Sequence, residues 1–287
     1  MTEATTKTWF ITGASRGFGA RIAALALAQG DNVVATARNA EAVTRQLGAH
    51  PNLLAVPLDV TDETQAREAA AAAITRFGRI DVLLNNAGFG LLGAVEEASA
   101  EEVERLYRTN VFGLLAVTRA VLPHMRAQRS GRILNISSIG GYRGAPGFGV
   151  YSSTKFAVEG LSEALHGELA PLGIHVTVVE PGYFRTDFLD ASSLAVSPAH
   201  IADYAATAGA TRERASGLNH EQPGDPDRLA RVLVDFADAE NPPVRLPLGS
   251  DTVAAIRAKH AADAAILEQW GAVSVSTDFA PPQAPAA

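Results

Sequence analysis

Six short apolar runs recur along the chain: "TWFIT" (8–12), "NVVATA" (32–37), "NLLAVPL" (52–58), "IDVLLN" (80–85), "GRILNIS" (131–137) and "IHVTVVE" (174–180). They are β-branched or leucine-rich and continuous rather than alternating. That pattern predicts strands covered on both faces. Longer amphipathic stretches between them predict helices over 17–29, 40–48, 62–77, 99–127 and 151–171. "PVRLPLG" (243–249) adds a seventh strand, and residues 250–270 an extra C-terminal helix. Strands alternating with helices imply βαβ units, hence an α/β fold with a doubly wound parallel sheet and helices on both faces. No repeat or linker divides residues 1–287, so one domain is expected. Residues 187–222 break the rhythm with small and polar residues and are expected to form a substrate lid. The Pro/Ala-rich tail, 279–287, is expected to be disordered.

Composition narrows the function classes. At 47% hydrophobic and 19% charged, the chain can build a large core. It has no cysteine, hence neither disulfides nor thiolate metal ligands. His124, His166 and His175 have no ligand spacing, so no metal site is expected. A net charge of −7 without a basic cluster argues against nucleic acid. No apolar run spans a bilayer, and "MTEATTKTWF" lacks a signal-peptide pattern, so no membrane and a cytoplasmic location are expected.

The first predicted strand runs into "TGASRGFG" (12–19), and a helix follows at once. Gly13 supplies the backbone freedom of a tight turn, Gly17 a place where a phosphate can approach, and Gly19 close helix–strand packing. The helix N-terminus then offers N–H groups to a pyrophosphate, flanked by Ser15 and Phe18. In NAD-binding versions an acid ends the second strand and bonds the ribose hydroxyls. Here Ala37 stands in its place and Arg38 follows, with Arg16 inside the loop. Two guanidinium groups suit a 2′-phosphate, which favours NADP(H) as cofactor.

"YSSTK" carries the second signal. Only three of the 24 basic residues are lysine (Lys7, Lys155 and Lys259), and Lys155 stands four residues after Tyr151. On a helix that spacing puts phenol and ammonium on one face.

Together "TGASRGFG", "LDVTD" (58–62), "NNAG" (85–88), "RTNVFG" (108–113), "NISS" (135–138), "YSSTK" and "EPGYFRT" (180–186) resemble the classical short-chain dehydrogenase/reductase family, in its order and near its spacings, over residues 8–186. The resemblance implies a Rossmann-type fold and an NADP-dependent oxidoreductase. It implies a catalytic tetrad of Asn110, Ser138, Tyr151 and Lys155. It places Asp59 and Val60 at the adenine ring, and Asn85, Asn86, Ala87 and Gly88 under the adenosine ribose, where they would also steady the central strand. Pro181, Gly182, Phe184 and Thr186 would hold the nicotinamide carboxamide. Asn110 would kink a long helix, and a homodimer or homotetramer would form through the helices near 99–127 and 151–171. "PPVRLPLGSD" and the extra helix are similar to the branch of 17β-hydroxysteroid- and retinol-dehydrogenase-like carbonyl reductases.

A phenol with pKa about 10 is a poor base near neutrality. Lys155 beside it is expected to lower that pKa, and Ser138 to bond the substrate oxygen. Phe89, Leu91, Tyr142, Phe148, Tyr183, Phe188 and Leu189 are expected at the nicotinamide mouth, which implies an apolar ketone or secondary alcohol as substrate. Arg143 and Arg185 are expected to point to solvent or cofactor. The rival reading is a non-catalytic NADP-binding sensor on the same fold.

Overall fold

The computed structural model describes residues 6–279; most of the tail expected to be disordered, 280–287, lies outside them. Its strands are β1 (Thr8–Thr12), β2 (Asn32–Ala37), β3 (Leu53–Pro57), β4 (Val82–Asn85), β5 (Gly90–Leu92), β6 (Gly131–Ile136), β7 (Ile174–Pro181), β8 (Leu194–Val196) and β9 (Arg245–Leu248). The helices are α1 (Gly17–Ala28), α2 (Ala40–Leu47), α3 (Glu63–Phe77), α4 (Ala100–Tyr107), α5 (Leu114–Gln128), α6 (Gly149–Leu169), α7 (Ala210–Leu218), α8 (Pro226–Phe236) and α9 (Ser250–Val275). Seven strands form one sheet in the order β3-β2-β1-β4-β6-β7-β9, every neighbouring pair parallel. This is the Rossmann-type arrangement expected, with 245–248 as the seventh strand.

Successive residues of each strand feed opposite faces, as the pleat requires. Trp9, Ile11, Val33, Ala35, Leu84 and Leu134 pack under α1 and α8. Phe10, Val34, Leu83, Ile133 and Val176 pack on the other face under α3 and α5. Both faces are therefore dry, and β1 and β4 are buried throughout. The strand order reverses between β1 and β4. At such a switch point neighbouring loops part and leave a crevice beyond the carboxyl ends of the strands.

Three elements differ from expectation. The stretch 99–127 is not one helix: a π-helical turn, Arg108–Gly113, separates α4 from α5 and carries Asn110. Residues 187–222 are not irregular throughout. They contain β8, paired with β5 in a small second sheet, and α7. The buried carboxylate of Glu97 pins this segment, accepting from the Ile201 N–H (2.9 Å) and from Arg212 of α7. Helix α8 was not anticipated. Asp225 caps it by accepting from the Asp227 and Arg228 N–H groups (2.9 and 3.2 Å), Pro226 opens it, and Leu229, Ala230, Leu233 and Val234 bury its inner face.

Candidate active site

The loops beyond the carboxyl ends of β1–β4, β6 and β7 surround one cleft of about 720 Å³. Gly13, Ser15, Arg16, Gly17, Phe18, Arg38, Asp59, Val60, Ala87 and Gly88 line it, as do Phe89, Ser138, Phe148, Tyr151, Lys155, Pro181, Gly182, Tyr183, Phe184, Thr186 and Phe188. Motifs spread over most of the chain thus converge on the switch point.

The glycine loop has the geometry that an anion site requires. Gly13 and Gly17 have φ of +66° and +57°, the left-handed region that favours glycine. A Cβ on Gly19 would lie 2.5 Å from the Gly13 carbonyl oxygen, so this glycine packs behind the loop rather than lining the cleft. Asn86 clamps the turn, donating from Nδ2 to the carbonyls of Thr12 (2.9 Å) and Gly13 (3.0 Å). The Thr12 hydroxyl accepts from the Asn86 and Ala87 N–H groups (2.9 and 3.0 Å). No side chain caps the N-terminus of α1, and no acid stands in its first turn. Its N–H groups and partial positive charge could therefore hold a diphosphate.

Arg38 lies on the cleft wall just after Ala37. Arg16 reaches across the cleft, and its Nη2 donates to the Ser192 carbonyl (2.6 Å). Asp59 Oδ1 accepts from the Thr61 N–H (2.9 Å) and hydroxyl (2.8 Å), which fixes the loop after β3.

Tyr151 and Lys155 project from α6 one turn apart, both 7% exposed. Lys155 Nζ donates to the Ile136 carbonyl (2.8 Å) and sits 5.8 Å from the centroid of the Tyr151 ring. The Ser138 hydroxyl, just past β6, accepts from the Gly140 N–H (3.0 Å), and Ser138 lines the same cleft as Tyr151. Asn110 does not line the cleft. It braces the loop after β4, accepting from the Phe89 N–H (3.1 Å) and donating to the Phe89 carbonyl (2.9 Å) and Thr154 Oγ1 (3.2 Å).

The electrostatics differ from expectation. Burial pushes the Tyr151 phenol well above its ordinary value, and the Ser138 contact only partly opposes it. Burial also brings Lys155 down to about 8, against the pull of Glu159. The ammonium spends a hydrogen bond on Ile136 and stands beside the ring face, so desolvation outweighs the lowering expected from Lys155.

Three more placements differ from the expected ones, that of Asn85 only in leaving the ribose floor. Asn85 is buried beneath the cleft and donates to Thr118 Oγ1 and Asn135 Oδ1 (both 2.9 Å), which ties the central strands together. Tyr142 turns off the cleft, with its hydroxyl on His260 of α9 and its ring 5.2 Å from the Arg245 guanidinium. Leu91 lies in β5 as core. Arg143, expected toward solvent or cofactor, lines the cleft. Phe148 and Phe188 pack against the Tyr151 ring at centroid distances of 6.1 and 5.7 Å. Sequence reasoning missed Arg105, Arg108 and Gln222 as lining residues. The two arginines sit in a stretch that reads as a solvated helix face. Arg105 instead stacks 5.3 Å from the centroid of Phe89.

A family model described as short chain dehydrogenase matches residues 7–196. The chain belongs to the short-chain dehydrogenase family. Among curated relatives, it is 42% identical over 250 residues to "Oxidoreductase BOA17" of Botryotinia fuckeliana, covering 86% of this chain and 90% of that one. It is 40% identical over 244 residues to a "3-ketodihydrosphingosine reductase" of Bacteroides thetaiotaomicron, covering 83% and 86%. Among solved structures, a short-chain dehydrogenase from Streptomyces avermitilis superposes with a TM-score of 0.89 at 43% identity, covering 96% of this chain and 100% of that one. A family member from Burkholderia phymatum in complex with NAD (TM-score 0.78, 25% identity, 99% and 100% covered) and ElxO with NADP bound (0.72, 27%, 87% and 100%) show both nicotinamide cofactors on this fold. Family membership makes the chain an oxidoreductase that works with one of the two. No described helix is long and apolar enough to cross a membrane, and no group of three His, Asp or Glu among the described residues could hold a metal ion.

Proposed function

We propose that the chain is an NADPH-dependent carbonyl reductase, and in reverse a secondary-alcohol dehydrogenase, acting on an apolar ketone or alcohol. The observation that carries this reading is the convergence of Ser138, Tyr151 and Lys155 on one wall of the cleft, with Asn110 bracing the loop opposite. When bound, the reduced dinucleotide supplies a hydride to the carbonyl carbon. Tyr151 gives its phenolic proton to the carbonyl oxygen, and the alcohol results. The buried phenol stays protonated at neutral pH, which is the state that reduction needs. Ser138 accepts from Gly140, and this leaves its own hydrogen free for the same oxygen. Lys155 orients the nicotinamide ribose and, in oxidation, favours the phenolate.

Gly13, Gly17, Phe18 and the α1 N-terminus hold the diphosphate. Asp59, Val60, Ala87 and Gly88 flank the adenosine, and Pro181, Gly182, Phe184 and Thr186 the nicotinamide. Phe89, Phe148, Tyr183 and Phe188 make an apolar substrate wall, with 187–222 as lid over a single domain. That wall fits the branch of 17β-hydroxysteroid- and retinol-dehydrogenase-like reductases, and the relative named for a 3-keto compound fits ketone reduction.

Arg38 carries the cofactor preference. Its replacement by aspartate sets a carboxylate against the 2′-phosphate and offers an acceptor to free ribose hydroxyls. Arg38→Asp is expected to weaken NADPH binding about 10- to 100-fold, the worth of a hydrogen bond to a charged group, and to improve NADH binding. Fluorescence titration with both cofactors checks this. A wild type that already prefers NADH removes the NADP assignment.

A homodimer is the assembly proposed. Phe112 and Phe156, on the π-helical turn and α6, are 58% and 47% exposed, large apolar groups for a soluble surface. Light scattering at micromolar concentration is expected to give at least the dimer mass, and a monomer mass refutes it.

A further inference from the structure

We propose that Asp251, in the first turn of α9, is a positioning residue for the loop 181–186: its carboxylate fixes the Gly182–Tyr183 backbone and, through it, the seat of the nicotinamide. The proposal rests on the reading of that loop as the nicotinamide site.

Asp251 lies beyond residues 7–196, the stretch that the family model matches. Strand β9 pairs with β7, and the chain then turns through Gly249 into α9, which brings the acid against the carboxyl end of β7. Asp251 Oδ2 accepts from the Tyr183 N–H (2.7 Å), and Oδ1 from the Thr252 N–H (2.9 Å). No side chain caps α9, so its first turn offers the carboxylate a partial positive charge. Two glycines make room for it. A Cβ on Gly182 would overlap both carboxylate oxygens and Cγ of Asp251. A Cβ on Gly249 would lie 2.5 Å from Oδ1. The acid therefore touches the loop directly, where Gly182 has no side chain.

The hydrogen bonds of the loop show what this contact does. The Gly182 N–H donates to the Leu248 carbonyl (3.0 Å), the Arg185 N–H to the Gly224 carbonyl (2.9 Å) and the Thr186 N–H to the Phe184 carbonyl (2.8 Å). Asp251 takes the Tyr183 N–H. From 182 to 186 only the Phe184 N–H has no acceptor among the described residues, and Phe184 lines the cleft. Two consecutive peptide planes set the direction of that donor. Asp251 holds the N–H of the Gly182–Tyr183 peptide. The carbonyl of the next peptide accepts from the Gly224 N–H (2.9 Å), and a planar trans peptide points its Phe184 N–H the opposite way. Without Asp251 the first plane is free to rotate, and the second is held at one end only. A carboxamide needs a fixed donor for its oxygen, so the nicotinamide end of the dinucleotide is the part that depends on Asp251.

The test titrates each dinucleotide beside the same molecule without its nicotinamide, by calorimetry: NADPH beside 2′-phospho-ADP-ribose, and NADH beside ADP-ribose. Asp251→Ala is expected to weaken the dinucleotide about 10-fold, the order of one hydrogen bond to a charged group, and to leave its nicotinamide-free counterpart within about twofold. In Asp251→Asn the amide oxygen can still accept from the Tyr183 N–H, so a smaller loss is expected. Gly182→Ala sets a methyl against the carboxylate and is expected to weaken the dinucleotide as well. Adding Asp251→Ala removes that obstruction, so the double variant is expected to bind no worse than Gly182→Ala alone. A merely structural role for Asp251 would weaken both ligands of a pair together. Unchanged dinucleotide affinity in folded Asp251→Ala, equal losses for the two ligands, or losses that add in the double variant overturn the proposal. If Asp251→Ala does not fold, equal losses in Asp251→Asn do so. A wild type that binds neither dinucleotide retires the proposed function, and this proposal with it.

Discussion

Tyr151→Phe is expected to lower kcat for ketone reduction by about 10²–10⁴, the usual worth of a positioned general acid. NADPH affinity is expected to stay within about twofold, because the lost hydroxyl acts mainly in the transition state. The ring itself is held independently of its hydroxyl, between Phe148 and Phe188, so phenylalanine fills the same space. Ser138 keeps its bond to the Gly140 N–H whether or not the phenol is present. The variant is therefore expected to fold normally and to bind cofactor without turning over. Steady-state kinetics beside fluorescence titration separates the two effects. Activity within a few-fold of wild type would remove Tyr151 from the chemistry.

Gly19→Ala is expected to damage both fold and site. The added methyl would meet the Gly13 carbonyl at 2.5 Å and Asn86 Nδ2 at 2.7 Å, and the first of these is backbone that cannot rotate away. Overpacking of this kind costs about 1–3 kcal/mol. The relief available is to push the glycine loop off α1, which spoils the N–H groups proposed for the diphosphate. Gly17→Ala makes the contrast. A methyl there meets nothing within 4 Å, and its penalty is the left-handed φ of +57°. That strain costs about 1–2 kcal/mol. Thermal unfolding and NADPH titration on both variants check the pair. Gly19→Ala as stable as wild type, with unchanged affinity, would contradict this packing.

The sheet was legible because its strands are short apolar runs bounded by turns, and each of the seven sits where its run predicts. The glycine loop and "YSSTK" were legible because their chemistry depends on local spacing. What was hidden depends on tertiary neighbours. Tyr142 stands in the right stretch for the mouth, but α9 and Arg245 draw it away. Asn85 ends the strand that leads to the cleft, and the pleat turns its amide away from the cleft toward Thr118 and Asn135. Asn110 was placed in a long helix that would kink, and the kink proves to be a π-helical turn. Helix α8 did carry local signals in Asp225, Pro226 and the Leu229–Leu233 spacing, masked by the irregular stretch before it. The high pKa of Tyr151 could not be read from spacing, because burial sets it and burial is a property of the whole fold.

The central claim is that this cleft reduces apolar ketones with NADPH. The most direct measurement follows nicotinamide absorbance while the wild-type protein meets a panel of aryl, alicyclic and long-chain ketones, small keto acids and free sugars, with NADPH and NADH in parallel. The expected result is oxidation of NADPH in preference to NADH, fastest with the bulky apolar ketones. Tight NADPH binding with no turnover on any carbonyl would instead favour a sensor built on this fold. Best turnover with small charged keto acids or sugars would contradict the apolar wall.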